Sequence, residues 1–170
     1  MQHIRHWKLL CGFLSLFVFS LASAAYGKDK VPELRGRVND TIGELSAEHA
    51  AALESDLEAY EKETSNQIVI LTVAEIESDI PAYAVKVFRE WKLGQKDKNN
   101  GALIIFCLKP RKLWIAVGRG LEGTLTDVLA HRICADEMSP HTKKAKNLEG
   151  AAKQEEMYLG FQKGIAAIKR

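Results

Sequence analysis

Apolar residues recur in this chain with two different periods, and each change of period marks an element. Leu53, Leu57 and Tyr60 keep helical spacing, while Glu54, Glu58, Glu61 and Lys62 take the solvent-facing positions between them. Ser46 stands as N-cap before them, with Glu48 in the first turn and Leu45 as a staple residue. The run Gln67 to Val73, QIVILTV, is short and rich in β-branched residues, which predicts a strand buried on both faces. Asp79 caps a second helix that tolerates Pro81 in its first turn, carries Ala84, Phe88 and Trp91 on its inner stripe and stops at Gly94. Ala102 to Leu108 and Lys112 to Val117 read as two strands joined as a hairpin through Lys109-Pro110-Arg111. Thr124 and Asp127 open a third helix with Leu125, Leu129 and Ile133 inward. Ser139-Pro140-His141 reads as a turn. A last helix runs from about Leu148, with Tyr158, Phe161, Ile165 and Ile168 on its apolar side.

The order helix, strand, helix, strand, strand, helix, helix predicts an α/β fold. The expected architecture is an α/β/α sandwich, with a small mixed central sheet flanked by helices. Residues 45–170 suit one domain, and 25–44 read as an extended lead-in broken by Pro32, Gly36 and Asn39-Asp40.

Before residue 25 the pattern changes in kind. Arg5 and Lys8 precede the apolar run Leu9 to Leu21, which is short for a membrane span, and Ala22-Ser23-Ala24 offers a cleavage site. Residues 1–24 are therefore expected to be a signal peptide and the mature protein to be periplasmic or secreted. No second apolar run of membrane length follows, so no membrane span is expected in the mature chain. The segment carries two of the 24 Lys and Arg and none of the 22 Asp and Glu, so removing it leaves a formally neutral product. A neutral domain has no global field to draw in nucleic acid, and none is expected as a partner. Cys107 and Cys134 are the cysteines beyond the segment. An oxidising compartment would permit a disulfide between them, while their positions in a strand and a helix equally suit two small buried apolar residues.

Gly118-Arg119-Gly120-Leu121-Glu122-Gly123 is a literal GxGxxG between a strand and a helix. The preceding strand is a hairpin partner, and no strand follows the helix to offer an acidic residue to a ribose. The nucleotide reading therefore fails on context. The glycines are expected instead to permit a positive-φ turn and a close approach to neighbouring backbone. Acidic and amide side chains gather in the loops, at Asp40, Asp97, Asn99, Asn100, Glu122 and Asp127. Converging at one sheet edge, Asp40, Asp97, Asn100, Glu122 and Asp127 would offer the hard oxygen donors that Ca²⁺ and Mg²⁺ take. The plainer roles are turn formation for Asp40 and the Asn pair, capping for Asp127 and solvation for Glu122. HExxH, GxSxG, Walker A and CxxC patterns are missing. His49 and His131 read as surface residues, and Trp91 and Trp114 as core. Lys109, Arg111, Lys112 and Arg119 form a local basic cluster, for which a charged hairpin tip that resists aggregation is the commoner use.

Together these residues resemble one family. The segments Val31-Pro32-Glu33-Leu34, Gly36-Arg37-Val38-Asn39-Asp40, Leu45-Ser46 and Glu63 to Ile70 are similar to the TPM domain. So are Trp91-Lys92-Leu93-Gly94, Lys98-Asn99-Asn100-Gly101-Ala102-Leu103, Val117 to Gly123, Asp127, Pro140 and the closing stretch Gly160 to Ile168. That domain is found in bacterial envelope proteins and in thylakoid-lumen photosystem II repair proteins. The resemblance implies an α/β sandwich and a divalent-cation site, often for Ca²⁺, in acidic loops. Asp40, Asn100, Glu122 and Asp127 stand at motif positions, with Asp97 a looser neighbour. It also implies weak acid phosphatase activity in some members and work on membrane-protein complexes in others. This chain departs from the pattern at Asn99, where Asp is usual, at Ala116, where an acid is common, at Arg119, which replaces an aromatic, and at Ser65, which replaces a glycine. Lost charge implies a weakened cation site. Arg119 makes the same cleft friendlier to phosphate or carboxylate, an anion contact. The resulting expectation is a soluble envelope accessory or binding module with a weak Ca²⁺ or Mg²⁺ site and an envelope or membrane-protein-complex partner. A metal-assisted acid phosphatase (phosphomonoesterase) is the alternative.

Overall fold

Two nine-residue runs rich in Ile, Val and Leu become the central strands, since only a strand covered on both faces can bury six or seven consecutive side chains. The computed structural model describes residues 29–170, and the expected signal segment lies outside them. The sheet has the order β1 (Val38–Asp40), β2 (Gln67–Glu75), β3 (Gly101–Lys109), β4 (Lys112–Val117). The first three strands are parallel, with Asp40 beside Thr72 and Gln67 beside Gly101, and β4 returns antiparallel with Ile115 beside Ile104. The helices are α1 (Ala47–Thr64), α2 (Ile80–Glu90), α3 (Asp127–Arg132), α4 (Ser139–Ala145) and α5 (Gly150–Ile168), with a π-helical stretch, Ile133–Met138, running from α3 into α4.

Alternate strand residues face opposite sides of the sheet and build two cores. Ile68, Ile70, Ile104, Phe106 and Ile115 pack with Leu53 and Leu57 of α1 and Phe161 and Ile165 of α5. Val69, Leu71, Leu103, Ile105 and Cys107 pack with Tyr83, Ala84 and Val87 of α2. The α/β/α sandwich expected from the pattern is thus the fold. It has one unusual property. The β1–α1–β2 and β2–α2–β3 connections step across the sheet in the same direction yet place their helices on opposite faces. Such crossovers must have opposite hands, so one of them departs from the common right-handed rule.

Side-chain bonds hold β1 in this arrangement. Glu54 of α1 accepts from the backbone N–H groups of Arg37 and Val38 at 3.0 and 2.8 Å. The Arg37 guanidinium pairs with Glu54 at 3.1 Å and with Glu61 at 2.8 Å. Asp40 accepts from the Thr72 hydroxyl and, at 2.8 Å, from the Leu45 N–H, which ties β1 both to β2 and to the approach of α1. The stretch read as an extended lead-in therefore contributes a sheet strand, too short to show any period of its own.

Ser46 and Asp79 cap α1 and α2 as expected, accepting from His49 N–H at 3.1 Å and Ala82 N–H at 3.2 Å. Three local expectations are corrected. The cap of α3 is Thr126, which accepts from the Leu129 N–H at 3.3 Å, while the Thr124 hydroxyl donates to the Leu121 carbonyl. Ser139-Pro140-His141 opens a helix rather than a turn, with Pro140 in the first turn. Arg111 does not stand free at the hairpin tip. Its Nε and Nη2 donate to the Thr142 carbonyl at 3.0 and 2.7 Å, and its guanidinium lies 5.3 Å from the Phe106 ring centre.

Close packing of α5 on the π-helical stretch and α4 uses two glycines. A Cβ on Gly164 would meet Met138 Sδ at 2.5 Å, and one on Gly160 would meet His141 Cβ at 3.1 Å. Beside them the Glu156 carboxylate receives Lys144 Nζ and, at 2.9 Å, His141 Nδ1. Lys144 first, and then His141, hold the Glu156 carboxyl below its ordinary value of 4.5.

Leu57 is fully buried, so Leu57→Ala should cost ~2–5 kcal/mol in urea denaturation. The Glu156 clamp sets an acid limb. Its stabilisation is complete above pH 4.5, the ordinary value, and is lost as the pH falls through the depressed folded value. Glu156→Gln should flatten the fall in stability over that acidic window, which unfolding curves from neutral pH to pH 3 would reveal.

Candidate functional site

The loop leaving α2 is built from residues in the left-handed region. Lys92, Gly94 and Asn99 have φ of 52°, 84° and 49°. Gly94 can be nothing larger, since a Cβ there would stand 2.7 Å from Gly101 N. Its N–H donates to Gln67 Oε1 at 2.8 Å, and the N–H groups of Lys98 and Asn99 donate to the Gln95 carbonyl at 3.0 and 2.8 Å. Asn100 is buried, and its side chain is fully employed. Oδ1 accepts from Gln95 N–H at 2.9 Å, and Nδ2 donates to the Ser65 carbonyl at 2.6 Å and to Asn66 Oδ1 at 3.3 Å. Asn100 therefore joins the end of α1 to the start of β3.

The glycine loop lies directly on this one. Gly118 N–H donates to the Gly101 carbonyl at 2.8 Å, and Gly120 N–H to the Asn99 carbonyl at 3.1 Å. A Cβ on Gly118 would overlap the Asn99 carbonyl oxygen, and a Cβ on Gly120 the Lys98 carbonyl oxygen. The close approach expected of the GxGxxG is what Gly118 and Gly120 provide. Its glycines are not among those with positive φ, which corrects the expected positive-φ turn. Gly118, at φ −74° and ψ 147°, is extended. A single 3₁₀ turn, Arg119–Leu121, follows, and buried Leu121 anchors it while its carbonyl accepts from the N–H groups of Thr124 and Leu125 at 3.0 and 2.7 Å.

Asp97, Glu122 and Asp127 are exposed on these two clasped loops and the start of α3, and none of their carboxylates makes a hydrogen bond or ion pair with another described residue. Arg119 is exposed between the clasp glycines. Asp40 is not with them. It sits beside Thr72, five residues along β2 from Gln67, which marks the level of the clasp. That is about 16 Å away at the far end of the sheet. Among the described residues no group of three or more His, Cys, Asp and Glu side chains is placed to hold a metal ion. Sequence reasoning missed the backbone carbonyls of Lys98 and Asn99 and the amide of Gln67. The glycines of the GxGxxG signalled a close approach, but not that these groups receive it.

The remaining reactive groups are structural. Cys107 and Cys134 are buried in different cores on opposite faces of the sheet and form no disulfide with each other, so the reading as two buried residues holds and the disulfide does not. Burial pushes the Cys134 thiol up to about 12, which leaves it inert as a nucleophile. His131 is exposed as expected. His49 is half-buried, its ring stacked on Tyr158 with centroids 4.4 Å apart and its Nε2 3.2 Å from Glu155.

The family described as TPM domain matches residues 38–170. Among solved structures, the N-terminal domain of a protein from P. gingivalis is 26% identical, with a TM-score of 0.66 over 78% of each chain. The BA42 protein of Bizionia argentinensis is 23% identical, with a TM-score of 0.56 over 73% of this chain and 81% of that one. The N-terminal domain of protein cg2496 from Corynebacterium glutamicum is 12% identical at a TM-score of 0.51, covering 79% of this chain and 85% of that one. The latter two likenesses speak to fold alone. None of the curated proteins matches the chain.

The clasp predicts a sharp contrast between neighbouring glycines. Gly120→Ala forces a backbone collision and should cost ~1–3 kcal/mol or more. Gly123→Ala meets nothing within 4 Å and should stay within about 0.5 kcal/mol of wild type in the same denaturation assay.

Proposed function

The chain belongs to the TPM domain family, and from that premise we propose that it is an exported envelope accessory or binding module with a weak divalent-cation site on its clasped loops. The observation that carries this reading is the set of unpartnered carboxylates, Asp97, Glu122 and Asp127, on loops pinned backbone to backbone. Hard oxygen donors fit Ca²⁺ or Mg²⁺ in chemistry. They fall short in number, since no three acidic groups cluster, so a bound ion would keep much of its water and bind weakly. Asp97 and Glu122 would hold it, with Asp127 adding charge. Asn100 and Asp40 are positioning residues, one at the clasp and one at the far end of β1. A cation would neutralise the loop carboxylates and stiffen the surface they offer to a membrane-protein-complex partner.

Export is supported by the n-region, apolar run and Ala22-Ser23-Ala24 of the first 24 residues. Among the described residues no helix is long and apolar enough to cross a membrane. A second reading, metal-assisted phosphomonoester hydrolysis, rests on Arg119, an exposed residue of the same glycine loop as Glu122 whose guanidinium suits a phosphate. No geometry singles out a nucleophile or a general base among the side chains there, and the binding role is preferred.

Thermal melting in chelator and then in Ca²⁺ or Mg²⁺ tests the site. An ion at about ten times its Kd adds ~1.4 kcal/mol. For a domain of this size that is a rise of roughly 3–6 °C. Asp97→Ala and Glu122→Ala should each abolish the rise, while Asp40→Ala should lower the baseline and leave the rise intact. An unchanged melt in both ions would remove the cation from the proposal.

A further inference from the structure

The basic residues that the sequence gathers around the hairpin separate in the fold. Arg119 stands at the clasp, while Lys109 and Lys112 flank the hairpin tip at the other end of β3. That strand runs from Gly101 at the clasp to Lys109, so the two ends are about 26 Å apart. In place of Arg119 the tip meets a second basic segment. Arg111 donates from Nε and Nη2 to the Thr142 carbonyl at 3.0 and 2.7 Å, which sets the tip against α4. Thr142 is buried, and Lys143, Lys144 and Lys146 after it are exposed.

Two short stretches, 109–112 (KPRK) and 139–146 (SPHTKKAK), are thus joined at one end of the sheet, and neither contains an acid. Lys144 is held by Glu156, and Glu75 is the ladder neighbour of Lys109. The ammonium groups of Lys109, Lys112, Lys143 and Lys146 make no ion pair with another described residue.

We propose that this end of the sheet is a docking surface for an anionic phospholipid bilayer, held by Lys109, Lys112, Lys143 and Lys146. Their chemistry suits a surface better than a single ligand. Arg111 carries the guanidinium of the set, whose rigid fork would match one phosphate, and that fork is spent on Thr142. What remains are hydrated point charges on flexible stems, which suit a field of headgroups. From residue 25 onward the chain is formally neutral, so it has no global field and the attraction is local, within a Debye length of the leaflet. Docked by this end, the domain turns its clasp away from the lipid. The choice of a membrane rests on the reading of an exported chain that serves a membrane-protein complex, but not on the cation site. An unchanged melt in Ca²⁺ leaves the docking surface standing, and unbound vesicles leave the cation site standing.

Sedimentation of the purified exported protein with lipid vesicles tests the surface. At low ionic strength it should bind vesicles of equal parts phosphatidylglycerol and phosphatidylcholine, and not phosphatidylcholine alone. Release is expected in about 1 M salt, where the screening length falls to about 3 Å. A lysine near an anionic surface contributes about fivefold, so Lys109→Gln with Lys112→Gln should weaken binding on the order of 25-fold. Lys143→Gln with Lys146→Gln should do the same. An equal loss of charge at the clasp end, Lys92→Gln with Lys96→Gln, should leave binding unchanged. All six residues are exposed, so the three variants should melt with the wild type. Equal binding to neutral vesicles, or equal losses from variants at both ends, overturns the proposal. Retention on polyglutamate without binding to the anionic vesicles also overturns it, and would assign the lysines to an acidic protein partner.

Discussion

The backbone of Gly118 to Gly120 lies on the backbone of Lys98 and Asn99 with no room for a side chain between them. Two hydrogen bonds, to the carbonyls of Gly101 and Asn99, hold the contact. Everything at this end of the sheet follows from it. The loop after α2 must turn through left-handed residues to meet it, which Gly94 and Asn99 supply. Asn100 must be buried to join that loop to the end of α1. What remains for solvent is a rim of carboxylates whose spacing is set by backbone contact rather than by side-chain packing.

The opposite end of the sheet obeys a different logic. There β1 is only three residues long and belongs to one of two crossovers of opposite hand. Three ladder positions alone are a weak anchor, so side chains carry the load: Glu54 on the N–H groups at its start and Asp40 on Thr72 and Leu45 at its end. Asp40 is thus a part of the frame. It shares no surface with Asp97, Glu122 or Asp127, although all four are acids in loops or at element ends.

The elements that could be read from the sequence were those with a strong period or a strong cap. Gln67 to Val73 and Ala102 to Leu108 announce buried strands, and Ser46 and Asp79 announce helix starts. The misses share a cause. Val38–Asp40 is too short to show alternation, and its strand character comes from Glu54 and Thr72, distant in sequence. Ser139-Pro140-His141 carries turn residues, yet the preceding π-helical stretch and the glycines of α5 make a helix the better packing there. Arg111 looks like a solvated tip until Thr142 and Phe106 are known to face it. At the site the glycine signal was sound in kind, since close approach is what the loop achieves. Which loop it approaches is a tertiary fact, and so is the separation of Asp40 from the other candidates.

Amide hydrogen exchange at Gly118 and Gly120 tests the central claim most directly, because their N–H groups make the two bonds of the clasp. If the loops are pinned to each other as argued, both amides exchange with protection approaching that of the β3 amides, through openings that involve the sheet. Exchange of Gly118 and Gly120 as fast as that of exposed Gly123 would contradict it, and would mean that the rim carboxylates move independently of the fold.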